Sequence, residues 1–245
     1  MVTETERIAA ELAHGRYIQE HHPEPRDWST PAGRRRAERR ARMLCEHGRL
    51  SAGDRLLEVG CGTGLFTELV RSVTGATIVG TDLSPELVDE ARQRLPEVTF
   101  RVEDAVHLSF GPGSFDGVYG SSILHHLEID AALAEIRRVL KPGGRMVFAE
   151  PNMVNPQIFA QKNVPAIKRW LGDIPHETAF VRWSIARRLE RAGFTRVRVT
   201  PFDFLHPLTP RPLIPLVSGM GAVLEHLPLL REIAGSCVIA AEKPA

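Results

Sequence analysis

Leu56-Leu57-Glu58-Val59-Gly60-Cys61-Gly62-Thr63-Gly64 runs from apolar residues into three alternating glycines, and an acid, Asp82, ends a second apolar run further on. The first run reads as a buried strand turning sharply into a helix. Glycines suit such a turn because they accept positive φ and let a ligand approach the backbone. The second run, Ala76-Thr77-Ile78-Val79-Gly80-Thr81, puts the Asp82 carboxylate at a strand's C-terminal end, where it can accept from two ribose hydroxyls. Open α/β sheets bind nucleotides along that edge. Together the loop and the acid predict a site for an adenosine-containing ligand.

Glycine spacing narrows the ligand. A dinucleotide fingerprint, G-x-G-x-x-G, would put its last glycine on Leu65, and no Gly-Lys-Ser/Thr of a phosphate loop follows. Glu58, two residues before Gly60, would sit badly beside a pyrophosphate and well near an ammonium. A ligand with a cationic amino-acid end and no phosphates fits this set.

The pattern resembles the first motif of class I S-adenosylmethionine (SAM)-dependent methyltransferases, of the small-molecule UbiE-like (type 11) branch. Thr81-Asp82-Leu83-Ser84-Pro85 resembles their next motif. Phe100-Arg101-Val102-Glu103-Asp104-Ala105, then Ser114 to Ser122, then Leu140-Lys141-Pro142-Gly143-Gly144 with its following strand, arrive in the family's order. The resemblance spans roughly residues 51–152, with a looser fit over 181–200 and 235–243. It implies that Gly60, Cys61, Gly62 and Gly64 admit the methionyl end of SAM, with Glu58 on its ammonium side. It implies Asp82 and Leu83 at the ribose, Asp104 and Ala105 at the adenine, and Ser121 in the loop beneath the methyl.

Transfer to a hydroxyl needs a base, and His125 and His126 follow the fourth expected strand by a few residues. Histidine titrates near neutrality, so the pair is the candidate catalytic group, with Glu150, Asn152 and His176 as rivals. The loop Gly120-Ser121-Ser122-Ile123 lacks the Asn/Asp-Pro-Pro-Tyr of relatives that methylate exocyclic amines, which argues against a DNA adenine or glutamine amide. Asp116, Glu128 and Asp130 are too scattered for a magnesium site, and the three cysteines for a disulfide framework or zinc. Cys61 reads as a small buried side chain rather than a nucleophile. The expected function is methyl transfer to a small or lipid-like acceptor, O-methylation favoured. Alternatives are a SAM-binding protein without methyl transfer and an RNA methyltransferase, the latter drawing on the six arginines between Arg34 and Arg42.

The elements that must position these residues alternate. Strands are expected near 55–59, 76–81, 98–102, 115–119, 144–150, 195–200 and 237–241, with helices near 64–73, 85–94, 122–127, 130–140, 182–192 and 217–227. Such alternation implies βαβ units in a doubly wound, mostly parallel sheet, Rossmann-like, with an antiparallel seventh strand. Residues 1–50 read as a helical cap that can fold over the cofactor mouth, with a helix from Thr30-Pro31 to about His47 and Tyr17 and Trp28 as candidate lid aromatics. The arginine run reads as a solvated helix face, or else as an anion patch. Residues 51–245 form the SAM-binding domain, with substrate-side insertions at 151–180, which holds Asp173 and His176-Glu177, and at 201–235. Long connections are often functional, and the second is apolar, which suggests an acceptor with apolar bulk. At 245 residues and a net charge of +1 the chain supports one large core and no global attraction to nucleic acid. No apolar run reaches spanning or signal-peptide length, which points to a cytoplasmic protein. Peripheral membrane contact and a homodimer are both compatible with the sequence.

Overall fold

A computed structural model describes residues 12–13, 26–164 and 178–245. Its centre is a seven-stranded sheet in the order β3-β2-β1-β4-β5-β7-β6. The strands are β1 (Arg55–Val59), β2 (Thr77–Asp82), β3 (Thr99–Val102), β4 (Phe115–Ser121), β5 (Leu140–Pro151), β6 (Thr195–Phe202) and β7 (Ser236–Glu242). Strands β1 to β5 pair in parallel, and β7 runs antiparallel to both β5 and β6. Strand order therefore reverses between β1 and β4, where a crevice opens at the C-terminal ends.

Helices form around it: α1 (Pro31–Gly48), α2 (Leu65–Thr74), α3 (Pro85–Arg94), α4 (Ile129–Val139), α5 (Pro156–Asn163), which the sequence reading did not anticipate, α6 (Arg182–Arg191) and α7 (Ile214–His226), preceded by a one-turn helix at Arg26–Ser29. Local chemistry starts them. Thr30 caps α1 by accepting from Gly33 N, Ser84 caps α3 by accepting from Leu87 N, and proline occupies the first turn of each. Because helices cover both sheet faces, the central strands are buried on both sides and read as continuous apolar runs. Successive residues serve opposite cores: Leu57 and Phe148 pack in one, Leu56, Tyr119, Val147 and Ala149 in the other.

Two boundaries differ from the sequence expectation. The fifth strand begins at Leu140, four residues earlier than expected, with its turn absorbed as an irregularity in the pairing with β4. The helix expected near 122–127 is one 3₁₀ turn, Leu124–His126. It ends where the backbone turns extended at Leu127, because Glu128 already caps α4 by accepting from Ala131 N, while at its start the Ile123 and Leu124 N–H groups are capped by the Glu150 carboxylate.

Helix α1 lies on the sheet, packed against α2, β5 and β7. This corrects the view of its arginines as a solvated face. Arg40 is only 3% exposed, donates to Ser121, Ser122, Ser236 and the Ala149 carbonyl, and lies over the Trp28 and Phe202 rings. Arg36 pairs with Asp203 and Arg39 with Glu225, so two of the six arginines tie α1 to the segment after β6. Trp28 packs edge-on against Phe66. Tyr17, Asp173, His176 and Glu177 lie outside the described residues.

Candidate functional site

The site starts from the β1–α2 turn. Gly60, Gly62 and Gly64 all have positive φ, at 71°, 50° and 83°. A Cβ on Gly60 would strike the Ile123 side chain, so the β1 turn and the loop after β4 meet face to face. A Cβ on Gly62 would meet nothing within 4 Å. The loop backbone thus borders open space that a branched side chain would fill, which is the cradle that a methionyl end needs.

Asp82 ties two loops together. One of its carboxylate oxygens accepts from Gly62 N at 2.9 Å and the other from Ser84 N at 3.0 Å. Each oxygen has a second lone-pair direction, so the acid can brace the turn and still accept from hydroxyls. Leu83, beside it, is half-buried. Asp104 follows β3, accepts from Val106 N at 3.1 Å, and precedes the buried Ala105. The Cys61 N–H donates to the Thr81 carbonyl and its thiol is buried. Burial, with Asp82 and Glu58 nearby, pushes that thiol well above its ordinary range, so it stays protonated and unreactive.

Glu58 lies beneath the turn, in the core. It shares a strand face with Leu56, and α2 covers that face. Its carboxyl group, 1% exposed, accepts through Oε2 from Thr67 Oγ1 and from the Tyr119 hydroxyl at 2.9 Å. Burial, outweighing both hydrogen bonds, lifts its pKa to about 8. Its role in this geometry is to pin α2 and β4 to β1 beneath the glycine turn.

The loop after β4 carries the most reactive arrangement. His125 is buried, and its Nδ1 lies 2.6 Å from Oε2 of Glu150, which is fully buried at the end of β5. The other Glu150 oxygen accepts from Ile123 N and Leu124 N, each at 3.0 Å. Burial by itself would raise the Glu150 carboxyl, but the His125 contact and the two N–H groups outweigh it and hold the pKa below its usual value. An ionised carboxylate can only accept, so His125 carries its proton on Nδ1 and is basic at Nε2. Glu150, a rival base in the sequence reading, is thus paired with His125 in the structure. His126 is half-buried, its ring centroid 4.2 Å from that of His125. Asn152 is committed elsewhere, donating to the Glu232 and Ala234 carbonyls. Ser121 accepts from Arg40 at 3.1 Å, and its neighbour Ser122 sits at a φ of 57°. Arg40 is the functional neighbour that sequence reasoning missed. The only signal for it was a run of six arginines, one too dense for a helix that also carries buried alanines.

The apolar side chains of the second insertion divide. Phe202 and Leu205 are buried, Phe204 is half-buried, and Leu213 and Leu216 face outward.

Residues 57–148 match a protein family described as a methyltransferase domain. The chain is 40% identical over 105 residues to an O-methyltransferase of Penicillium expansum, covering 40% of this chain and 38% of that protein. It is 37% identical over 172 residues to a demethylmenaquinone methyltransferase of Tropheryma whipplei, covering 62% of this chain and 71% of that one. The fold matches geranyl diphosphate C-methyltransferase from Streptomyces coelicolor with a TM-score of 0.68 at 18% identity, over 98% of this chain and all of that one.

Proposed function

The chain belongs to the S-adenosylmethionine-dependent methyltransferase family, and from that premise we propose that it methylates a hydroxyl of a small apolar acceptor, with His125 as general base. SAM supplies a methyl already activated on a sulfonium. The residues present suit that group: Gly60, Gly62 and Gly64 for the methionyl end, Asp82 with Leu83 for the ribose, Asp104 with Ala105 for the adenine, and Ser121 at the loop beneath the methyl. What the protein adds is alignment, which is worth up to ~7–11 kcal/mol in well-oriented reactions, and removal of the acceptor's proton.

The observation that carries the oxygen preference is the His125–Glu150 pair at 2.6 Å. A sulfonium methyl needs no acid catalyst, so a base whose tautomer is set by a buried carboxylate has its use on the acceptor side. Glu150 Oε2 takes the Nδ1 proton's hydrogen bond, Nε2 receives the hydroxyl proton, and the imidazolium that forms is stabilised by the same carboxylate. The Ile123 and Leu124 N–H groups hold Glu150 in place as this happens. Two curated relatives are named O-methyltransferases, which supports this reading. Arg40 brings α1 onto this edge at Ser121 and Ser122, and we assign the described parts of the two insertions, 151–164 and 201–235, to the acceptor side.

The test is turnover. Purified protein with SAM and a panel of phenols, hydroquinones and carboxylic acids should yield S-adenosylhomocysteine and an O-methylated product by mass spectrometry. His125→Gln should remove that product while His126→Gln spares it. A product methylated on nitrogen, or undiminished turnover in His125→Gln, contradicts the proposal. Binding of SAM with no S-adenosylhomocysteine formed from any acceptor would favour non-transfer chemistry in the same pocket.

A further inference from the structure

Helix α7 is almost wholly apolar and yet exposed. Leu213, Leu216, Met220, Val223 and Leu227 recur at spacings of three and four, which places them on one stripe, and each is more than 40% exposed. Beyond the helix, Leu229 is 86% exposed, and Leu230 and Ile233 continue the patch. The helix's single acid, Glu225, is turned inward onto Arg39 and the Asp203 N–H. Cations gather on the side where α7 meets α1. A cleft of about 320 Å³ between the two helices is lined by Arg35, Arg42 and Met43 on one wall and Phe204, Val217 and Gly221 on the other. Arg36 and Arg39 in the same cleft are neutralised by Asp203 and Glu225, whereas Arg34, Arg35 and Arg42 are exposed, with Glu46 the cleft's remaining acid. Arg211, also exposed, stands just before α7.

We propose that α7 and the neighbouring α1 arginines form a docking surface for an anionic lipid membrane, α7 lying flat in the interface while the arginine cleft receives phosphate headgroups. The composition of the flanks selects this partner. A stripe meant for another helix is ordinarily edged by charged residues that set pairing, and protein interfaces carry polar rims. Here the exposed positions beside the stripe are Pro215, Gly219, Ala222 and His226, none of them an acid, and the one polar side chain among them, His226, turns its Nδ1 to the Ala222 carbonyl. An apolar helix bordered by cations is the arrangement that lipid interfaces take up. No described helix is long and apolar enough to cross a membrane, so the contact is peripheral. The inference does not rest on the methyl-transfer reading, though it would bring the enzyme to the medium in which apolar acceptors dissolve.

Sedimentation with extruded vesicles of phosphatidylcholine, with and without phosphatidylglycerol, tests it on the full chain at low and high salt. The intact protein should pellet with the anionic vesicles, and salt should release it. Leu216→Glu and Met220→Glu change exposed positions and should keep the wild-type melting midpoint, while each reduces vesicle binding by roughly tenfold or more. Arg35→Ala with Arg42→Ala should lower binding by about tenfold on anionic vesicles only. The proposal is overturned if the intact protein stays in the supernatant with anionic vesicles, or if it pellets equally with neutral ones and the glutamate variants change nothing. It is also overturned if the chain is a dimer that Met220→Glu dissociates without any vesicle binding.

Discussion

Replacing Glu150 with glutamine is the perturbation that separates catalysis from architecture at this site. The amide keeps the side chain's size, and its oxygen can still accept from Ile123 N and Leu124 N. Its NH₂ then faces His125 Nδ1, which now stands 2.6 Å from the carboxylate. A donor opposite Nδ1 forces the imidazole into the other tautomer, with the proton on Nε2 and the basic lone pair turned toward the strand. General base catalysis contributes ~10²–10⁴-fold, so kcat should fall by about that factor. Stability should drop less dramatically. Hydrogen bonds to a charged group contribute about 1.5–3 kcal/mol and neutral ones about 0.5–1.5, so the exchange costs roughly 1–2 kcal/mol. At this chain length that is a fall of about 2–8 °C in the melting midpoint. Cofactor affinity should hold within about twofold, since the change leaves the glycine turn and Asp82 untouched. Stopped assays for S-adenosylhomocysteine, calorimetric titration and a thermal melt supply the three readings. A kcat within about fivefold of wild type would refute the base assignment, because an imidazole that carries its proton on Nε2 has no lone pair there to take the acceptor's proton. Equal losses of kcat and cofactor affinity would mean that Glu150 only shapes the pocket.

Three further outcomes follow from buried charges. Asp82→Ala removes the acceptor for Gly62 N and Ser84 N along with the proposed ribose contact, and should weaken SAM by at least ~1.5–3 kcal/mol in calorimetry; a change under about twofold would move the ribose elsewhere. Glu58 has its folded pKa raised to about 8 from 4.5, so between those pH values the folded chain holds a proton that the unfolded chain has lost. Stability therefore falls as pH rises through that window, by up to ~1.4 kcal/mol per unit, and Glu58→Gln should flatten the curve; parallel denaturation curves from pH 5 to 8 would contradict the shift. Arg40→Ala leaves Ser121, Ser122, Ser236 and the Ala149 carbonyl without their donor and should cost ~3–5 kcal/mol in urea unfolding, whereas the exposed Arg34→Ala should fall within about 0.5 kcal/mol of wild type.

The glycine turn and the parallel strands were legible because each needs a special residue type: positive φ at Gly60, Gly62 and Gly64, and unbroken apolar runs for strands covered on both faces. Glu58 was placed by its neighbours in the motif, although its alternation with Leu56 already marked the face under α2. Arg40 could not be singled out, since its fate depends on Ser236, at the far end of the chain, and one buried arginine looks like five others in sequence. The His125–Glu150 pair was half visible. Both residues were candidates, but only the side-by-side pairing of β4 and β5 brings the acid after Ala149 against the histidine after Leu124. The expected helix at 122–127 shrank to one turn because Leu127 is extended and Glu128 starts the next helix, a boundary that the run of residues did not mark.

The central claim is that SAM lies over the β1 turn with its methionyl end above Gly62. Calorimetric titration of S-adenosylhomocysteine into wild type and Gly62→Val tests it most directly, because a Cβ there enters open space rather than protein. Saturable one-to-one binding in wild type, absent from a variant that still melts cooperatively, is the predicted result. Equal binding by both chains, or none by wild type, would contradict the assignment of this loop as the cofactor site.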